Sequence, residues 1–310
     1  MDVLTSWEEL LAYPEQRIVV AIGNFDGLHA GHRRVLEHAR TMAADNDGHL
    51  CVLTFHSNTR SSLQPHGAPE KLMRNEERFE LLESYGTVCC AEIPFTTTFS
   101  EMEPVAFLEG LCGGREWFGL VVGDDFAFGR GRTGNRNTLR MYASSHGGAV
   151  DIVPRFFIDG ERVSSTWIRK LLLEGNVEKA AILLGRTFTT HGVRVRGDAM
   201  GRKIGYPTVN LTDIQTLIPA PGVYATRTSL QGGIPLISMS YVGSRPTLKA
   251  AGLVVETNIL DFSGSVTPEE AIVLHWEKFI RQDIKFDGLN SLQKQLKNDE
   301  EAVRAFFQLH

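Results

Sequence analysis

The sequence predicts two domains, an α/β domain built on a parallel sheet and then an antiparallel β-barrel that ends in a helix. The first prediction depends on near-continuous apolar runs that alternate with helical patterns, which is typical of a parallel sheet covered on both faces. The second depends on short strands cut by Gly and Pro in the carboxyl-terminal part. A chain of 310 residues is long enough to form two such cores.

The amino-terminal part alternates between strand-like runs and helical patterns. The apolar runs are IVVAIG (18–23), HLCVLTF (49–55), TVCCAEIPF (87–95), FGLVVG (118–123) and AVDIVP (149–154). Apolar residues recur at helical spacing in the segments 31–44, 75–86, 103–112 and 139–147. Two further helical segments, STWIRKLLLEG and VEKAAILLG, carry the chain to the domain boundary, which we place between residues 186 and 187.

The carboxyl-terminal part changes to short strands. These are THGVRVRG, YPTVNLT, GVYATRTSL, PLISMSYVG, VVETNILDF and AIVLHWEKFI. The tail SLQKQLKNDEEAVRAFF predicts a closing helix whose apolar face comprises Leu292, Leu296, Val303 and Phe306.

Composition excludes several functional classes. A net charge of −5 gives no electrostatic footprint for nucleic acid or for an anionic membrane. The amino terminus lacks the layout of a signal peptide, and no apolar run approaches the roughly 20 residues of a membrane span. The four cysteines form no CxxC motif, which indicates buried reduced thiols. We therefore expect a cytoplasmic protein that has neither nucleic acid nor membrane as a partner.

The stretch GNFDGLHAGH, residues 23–32, lies where the first strand ends and a helix begins. Its glycines permit positive φ and close approach of the backbone to a ligand. Free N–H groups and the helix dipole make this junction an anion site, which points to phosphate. His29 and His32 also have the spacing of a helix cap, a core pair or two zinc ligands. Zinc needs further ligands, and His38, His49 and His56 are scattered over unrelated elements, so we favour a nucleotide.

Several longer motifs carry a resemblance to a known family. HxGH behind a first strand marks the nucleotidyltransferase-like α/β superfamily. The full run GNFDGLHAGH, together with VVGDDFAFGRGRTGN (121–135) and VSSTWIRKLLLEGNVEKAAILLGRTF (163–188), resembles the bacterial bifunctional riboflavin kinase/FMN adenylyltransferases, or bifunctional FAD synthetases. GVRVRGDAMGRKIGYPTVNL (192–211), PGVYA (221–225), VGSRPT (242–247) and VETNILDF (255–262) resemble the kinase barrel of that family. The resemblance implies a nucleotidyltransferase-like, Rossmann-like domain at 1–186 and a riboflavin-kinase-like barrel at 187–310.

The resemblance implies that the first domain transfers AMP from ATP to FMN and releases pyrophosphate. His29 and His32 would donate hydrogen bonds to the reacting phosphates. The residues implied to bind nucleotide around them are Gly23, Asn24, Phe25, Asp26, Gly27 and Gly31. Ser164, Ser165, Thr166 and Arg169 match the family's second phosphate motif, which suits a pyrophosphate leaving group, although SSTWIR alone is also an ordinary capped helix. Asp125 matches a flavin-side position, or is an acidic turn residue.

The resemblance also implies a separate phosphate site in the barrel, where riboflavin is phosphorylated. Gly197, Gly201 and Gly205 would belong to a flap over ATP, and Thr208 and Asn210 would coordinate Mg²⁺ through oxygen. Glu256 matches the base that takes the proton of the riboflavin 5′-hydroxyl. In isolation, Glu256 also fits a solvated strand carboxylate, and PTVN fits a turn ahead of a strand.

The sequence departs from the family pattern in two regions. FHSNTRSS (55–62) replaces the family's Phe-x-Pro-His-Pro, and in the barrel SVTPEE and Asp283 replace the expected residues near riboflavin. The bifunctional enzyme is the leading hypothesis, and a single-activity FAD synthetase with a silent barrel is the alternative. A non-catalytic flavin or nucleotide sensor is disfavoured, because a binding protein does not need to stabilise a leaving group. The acidic balance argues against a class I aminoacyl-tRNA synthetase.

Overall fold

The computed structural model describes residues 1–56, 69–195, 201, 204–244, 253–264, 266–267 and 269–308. The chain divides into two compact units. The first unit comprises Met1–Pro69 and Asn75–Ser164, and the second comprises Glu70–Arg74 and Ser165–His310. The short segment Glu70–Arg74 is part of the second unit, where the Lys71 carbonyl accepts a hydrogen bond from Leu217 N at 2.8 Å.

The first unit is built on a six-stranded parallel sheet. Its strands are β1 (Asp2–Leu4), β2 (Arg17–Ile22), β3 (His49–His56), β4 (Cys89–Pro94), β5 (Trp117–Gly123) and β6 (Ala149–Val153). They lie in the order β1-β4-β3-β2-β5-β6, and each neighbouring pair is parallel. The predicted parallel sheet and its five strands are confirmed. The sixth strand, β1, has three residues, too few to show a periodic pattern.

Helices cover both faces of this sheet. They are α1 (Trp7–Leu11), α2 (Ala30–Asp45), α3 (Asn75–Ser84), α4 (Thr97–Ser100), α5 (Pro104–Cys112) and α6 (Arg136–His146). A small hairpin, β7 (Phe157–Ile158) with β8 (Glu161–Arg162), precedes the end of the unit. The central strand β2 is buried on both faces because its apolar run is continuous. All four cysteines are buried free thiols, as predicted.

The second unit is a closed six-stranded antiparallel barrel accompanied by helices. The helices are α7 (Ser165–Leu173), α8 (Val177–Leu184) and α9 (Leu289–Gln308). The strands are β9 (Phe188–Val195), β10 (Val209–Thr212), β11 (Gly222–Leu230), β12 (Leu236–Ser244), β13 (Leu253–Ile259) and β14 (Ala271–Gln282). They close in the order β10-β13-β12-β11-β14-β9, which confirms the predicted barrel. No helix within the described ranges is long and apolar enough to cross a bilayer.

Helix α7 packs on α8, and α8 packs on the barrel strands. Helix α8 lies against β9 and β14, and Phe279 N donates to Glu178 Oε2 at 3.5 Å. The division between the compact units therefore falls at Ser164 and Ser165, ahead of the boundary at 186 and 187 that we predict from the sequence. The division at Ser164 and Ser165 reflects packing contacts. The boundary between the two functional domains, at residues 186 and 187, stays a prediction.

The closing helix α9 is attached to the barrel by a buried ion pair. Asp299 is 1% exposed and accepts from Arg281 Nε at 2.8 Å and from Arg281 Nη2 at 2.7 Å. Gln295 Nε2 adds a third bond to Asp299 Oδ1 at 2.8 Å. The apolar face of the helix, centred on Val303, packs on β11 and β12 as its spacing predicts. The buried carboxylate thus accepts three hydrogen bonds.

We expect Asp299→Asn to destabilise the barrel by about 3 kcal/mol, because it leaves the Arg281 guanidinium in a buried place without its counter-charge. Equilibrium unfolding in urea measures the change. The matched control is Asp261→Asn, since Asp261 also forms a two-bond pair with α9, to Arg304 at 2.8 Å, but is exposed. The control should leave the unfolding midpoint nearly unchanged. Equal effects of both substitutions would contradict this assignment.

Candidate active sites

The first candidate site is the loop between β2 and α2. Its backbone turns back sharply through Phe25, Gly27 and Leu28, whose φ angles are 48°, 79° and 42°. Phe25 and Leu28 are each 1% exposed, so apolar side chains pin an otherwise strained turn. The base of the loop is held by Thr54, whose buried hydroxyl donates to the Asn24 carbonyl at 3.1 Å. The loop is therefore a fixed structure that holds its backbone in place before any ligand binds.

The two histidines of the loop stack on each other at the start of α2. His29 is the N-cap of the helix, and its Nδ1 accepts a hydrogen bond from His32 N at 3.3 Å. The ring centroids are 3.7 Å apart with an interplanar angle of 15°. Gly31 gives the His29 ring its room, because a Cβ there would lie 3.2 Å from His29 Cε1 and would press on the ring by a few tenths of an ångström. Since Nδ1 of His29 is an acceptor, neutral His29 carries its proton on Nε2 and can donate it to a ligand.

The second histidine has an unused ring nitrogen. His32 Nδ1 is buried and has no hydrogen-bond partner among the described residues. Burial, and then the neighbouring His29, hold the pKa of His32 well below its ordinary value of 6.5. The ring is therefore neutral at pH 7. A buried polar nitrogen without a partner is costly to a fold, and a hydrogen bond to a bound ligand would satisfy it.

The Ser-Ser-Thr-Arg motif lies at the start of α7. Ser164 is the last residue of the first unit, and Ser165 and Thr166 form the first turn of the helix in the second. Arg169 lies one turn further on, and its Nε donates to the Glu70 carbonyl at 2.7 Å. The motif thus has the predicted helix-start geometry. The histidine loop and Arg169 belong to different units, and their meeting at one phosphate chain stays a prediction.

Two adjacent carboxylates follow β5, the strand that pairs with β2. Asp124 accepts from Arg155 Nε at 3.0 Å, and Asp125 accepts from Arg162. Burial alone would raise the pKa of Asp125, but the hydrogen bond and charge of Arg162 outweigh it and the pKa is lowered. Asp125 is thus an ionised, exposed group at the carboxyl edge of the sheet, where ligands of open α/β folds bind.

The second candidate site lies on the barrel, where β10 and β13 pair. Asn210 is opposite Glu256 in the strand register, and Thr208 Oγ1 donates to Glu256 Oε2 at 3.1 Å. Asn258 lies two residues beyond Glu256. Its Nδ2 donates a hydrogen bond to the carbonyl of Pro207, in the segment just before β10, at 2.6 Å. The three predicted residues Thr208, Asn210 and Glu256 are therefore brought together.

The donor set of this barrel site fits a hard divalent cation. Thr208, Asn210 and Glu256 offer a hydroxyl, an amide oxygen and a carboxylate, which are the ligand types that Mg²⁺ takes alongside water and phosphate. Within the described ranges, no group of three or more His, Cys, Asp and Glu side chains could hold a metal. The zinc interpretation of His29 and His32 therefore gains no further ligands in that part of the chain.

The glycine-bearing segment ahead of β10 is described in part. Gly201 and Gly205 belong to a turn in which Tyr206 N donates to the Gly201 carbonyl at 2.8 Å. A Cβ at Gly201 would overlap the Tyr206 carbonyl oxygen, and Gly205 has a φ of 87°, so both positions require glycine. Gly197 lies outside the described residues, as do most of the FHSNTRSS stretch and part of SVTPEE. Asp283 is described, and the Tyr241 phenol is hydrogen-bonded to it.

Comparison with known proteins assigns the chain to a family. Two family models match it, FAD synthetase over residues 12–167 and riboflavin kinase over residues 184–307. The bifunctional riboflavin kinase/FMN adenylyltransferase of Haemophilus influenzae is 33% identical over 293 residues, which cover 94% of this chain and 95% of that protein. The chain belongs to the bifunctional riboflavin kinase/FMN adenylyltransferase family. The family member of Listeria monocytogenes is 35% identical over 93% of this chain and 92% of its own.

The family fold extends to a solved structure. A crystal structure described as a macrolide-efflux protein from Streptococcus pneumoniae matches with a TM-score of 0.87 and 30% identity, and covers 98% of this chain and 99% of that one. The family member of Escherichia coli K12 is 31% identical over 100% of this chain. The resemblance drawn from the motifs is therefore confirmed for the family and for both folds.

An aromatic cluster that the sequence motifs do not reveal lies at the carboxyl edge of the parallel sheet. Rings from the ends of β3, β4 and β5 and from α4 and α5 meet there in sequence, with centroids 5.2–6.1 Å apart: Phe95, Phe55, Phe99, Phe107, Phe128 and Phe126. Phe107 and Phe128 are buried, and the other four are partly exposed. The sequence signal was the aromatic residue at or after each of these strand ends, which local periodicity does not reveal.

Proposed function

We propose that this protein phosphorylates riboflavin to FMN in its barrel and adenylylates FMN to FAD at the histidine loop, with ATP as co-substrate of both reactions. The observation that carries the proposal is the stacked pair His29 and His32, which lies where a parallel strand is followed by a helix. The buried Nδ1 of His32 has no hydrogen-bond partner among the described residues. Family membership supports the same two activities.

In adenylylation, an FMN phosphate oxygen attacks the α-phosphorus of ATP and pyrophosphate leaves with the bonding electron pair. Such a displacement requires positioning and charge stabilisation more than covalent chemistry. Nε2–H of His29 and a ring N–H of His32 donate to the phosphate oxygens as negative charge moves onto the leaving group. The rigid turn at Gly23–Leu28 lets the nucleotide approach the backbone closely.

The aromatic cluster supplies a surface for the flavin. Phe126 and Phe55 are partly exposed rings at the edge that carries the histidine loop, and stacking on them suits a flat heteroaromatic ring. Asp125 offers an ionised acceptor next to Phe126 for polar atoms of the flavin. We place FMN on this side of the loop and ATP on the backbone of the loop.

In the kinase reaction, the Glu256 carboxylate takes the proton of the riboflavin 5′-hydroxyl as the oxygen attacks the γ-phosphorus of ATP, and ADP leaves with the electron pair of the broken bond. The hydrogen bond from Thr208 orients this carboxylate. Thr208 and Asn210 would hold Mg²⁺, which, when bound, neutralises charge on the transferred phosphate. We assign phosphorylation to 187–310 and adenylylation to 1–186, in a cytoplasmic protein with no nucleic acid or membrane partner.

The deciding experiment is incubation with Mg-ATP and either riboflavin or FMN, followed by chromatographic separation of the flavins. We expect riboflavin to yield FMN and then FAD, and FMN to yield FAD with release of pyrophosphate. Conversion of FMN alone would leave the single-activity synthetase as the function. Absence of both products would contradict the enzymatic assignment altogether.

Arg169→Ala should lower FAD formation by roughly 10- to 100-fold, which corresponds to the loss of charge-assisted hydrogen bonds to pyrophosphate. FMN formation from riboflavin should remain normal, because the predicted kinase residues do not include Arg169. Steady-state rates of the two half-reactions measure both effects. The matched control is Lys170→Ala, an exposed cation on the same helix whose nearest carboxylate, Glu174, is 3.9 Å away. Equal loss of both activities in Arg169→Ala would point to misfolding.

A further inference from the structure

A rigid, arginine-bearing loop follows the aromatic residues after β5. Phe128 and Gly134 form a two-bond bridge, with Phe128 N to Gly134 O at 3.0 Å and Gly134 N to Phe128 O at 2.9 Å. The tip is fixed further by a bond from Arg130 N to the Met102 carbonyl at 2.8 Å. We call residues 128–136 the arginine loop. Its geometry is set by backbone hydrogen bonds and by Phe128, so the tip side chains are presented in a defined place.

The loop and the start of α6 concentrate positive charge. The sequence from 130 to 140, RGRTGNRNTLR, contains four arginines and no acidic residue, and all four arginines are exposed. Arg130 pairs with Glu103. The side chains of Arg132 and Arg136 make neither an ion pair nor a hydrogen bond with any other described residue. The chain as a whole has a net charge of −5, whereas the segment 130–140 is positively charged.

Neither arginine is placed to favour folding. Arg132 has a φ of 59°, a left-handed conformation that glycine or asparagine adopts with less strain. Arg136 is the first residue of α6, where the positive end of the helix dipole disfavours a cation. Both positions would be more stable with another residue type. Fold stability therefore does not account for these two arginines.

The arginine loop lies at the same edge of the sheet as the histidine loop. β2 and β5 are adjacent parallel strands, and Ile22 is opposite Val122 at their carboxyl ends. The loops that follow these strands therefore emerge side by side. The arginine loop also begins at Phe128, which stacks on Phe126 at 5.4 Å in the cluster assigned above to the flavin ring.

We propose that Arg132 and Arg136 form an electrostatic steering surface that draws the phosphate of FMN toward the histidine loop. This inference rests on the proposed adenylylation, whose flavin substrate carries a phosphate dianion. Exposed cations beside a site raise the encounter rate with an anionic substrate, and salt screens the effect. Steering acts before the chemical step, so it changes kcat/KM and leaves kcat unaltered.

The test uses Arg132→Gln, Arg136→Gln and the double variant in the full chain. At low ionic strength, we expect kcat/KM for FMN to fall roughly three- to tenfold in the double variant, with kcat unchanged. At about 0.5 M salt, where the Debye length is only a few ångströms, the difference from the wild type should disappear. The melting temperature should be unchanged or raised, since both substitutions relieve an unfavourable placement.

Arg40→Gln is the matched control for each single variant. Arg40 is an exposed arginine in the second half of α2. Asn46, the residue after this helix, accepts a hydrogen bond from Arg17 at the start of β2. Arg40 therefore lies toward the amino-terminal edge of the sheet, away from the histidine loop. It removes the same charge and should leave kcat/KM unaltered. A wild-type kcat/KM in the double variant, a loss that persists at high salt, or a loss seen for ATP and not for FMN would overturn the proposal. A wild-type protein that makes no FAD would instead overturn the adenylylation itself.

Discussion

His32→Ala should lower the rate of FAD formation from FMN by roughly 10²–10³, the usual effect of removing one preorganised donor to a charged transition state. The neutral ring of His32 keeps Nδ1 buried and without a partner among the described residues, so the fold gains no hydrogen bond from that atom. In the proposed reaction, a bound phosphate accepts a hydrogen bond from this nitrogen of His32. The substitution also removes a ring that stacks on His29, which lowers the rate further if His29 shifts.

The measurement is the single-turnover rate of FMN conversion at saturating ATP, together with the melting temperature. His38→Ala is the matched control, because His38 lies on the same helix and is half exposed beside Asp151, with His38 Nδ1 2.6 Å from Asp151 Oδ2. The control should retain its full rate of FAD formation. Formation of FMN from riboflavin should be normal in both variants. A near-normal rate of FAD formation in His32→Ala would remove the phosphate assignment of the histidine loop.

Two interpretations of the histidine motif that compete at the level of sequence are compatible in the structure. His29 is a helix cap, because its Nδ1 accepts from a backbone N–H of α2. That bond fixes the tautomer and leaves Nε2–H as the donor, so the cap orients the ring for a ligand. Sequence spacing predicts both roles and cannot show that one supports the other. Gly31 leaves room for the His29 ring, which a Cβ at that position would approach to 3.2 Å.

Local patterns predicted the elements well and their packing partners less well. The buried strand β2 is recognisable because an uninterrupted apolar run fits only a strand covered on both faces. The packing of α8 on the barrel strands, and of α7 on α8, was not predictable, since the apolar faces of these helices fit any complementary surface. The aromatic cluster was missed for a related reason. Its rings come from separate strand ends that only the strand order brings together.

Glu256→Gln should abolish FMN formation from riboflavin, a loss of roughly 10²–10⁴-fold, while conversion of FMN to FAD stays close to normal. An alcohol is a poor nucleophile at neutral pH, so its phosphorylation requires a positioned base. FMN enters adenylylation with an already ionised phosphate and has no such need. Glutamine keeps an oxygen that can accept the hydrogen bond from Thr208 Oγ1, now 3.1 Å from Glu256 Oε2, so the site should keep its shape.

Asn210→Ala should cause the same selective loss by removing a proposed Mg²⁺ ligand, and raising the Mg²⁺ concentration should restore part of the activity, which it cannot do for Glu256→Gln. Glu277→Gln is the matched control, since Glu277 is a partly buried carboxylate on a barrel strand that pairs with Arg227 at 3.5 Å. Chromatography of the flavins distinguishes these variants.

Because the base acts only on the riboflavin hydroxyl, a Glu256→Gln protein that lost both activities would show that Glu256 supports the fold rather than the chemistry. If the wild type itself makes no FMN at saturating ATP and Mg²⁺ but still converts FMN to FAD, the barrel is catalytically silent and the protein is a single-activity FAD synthetase.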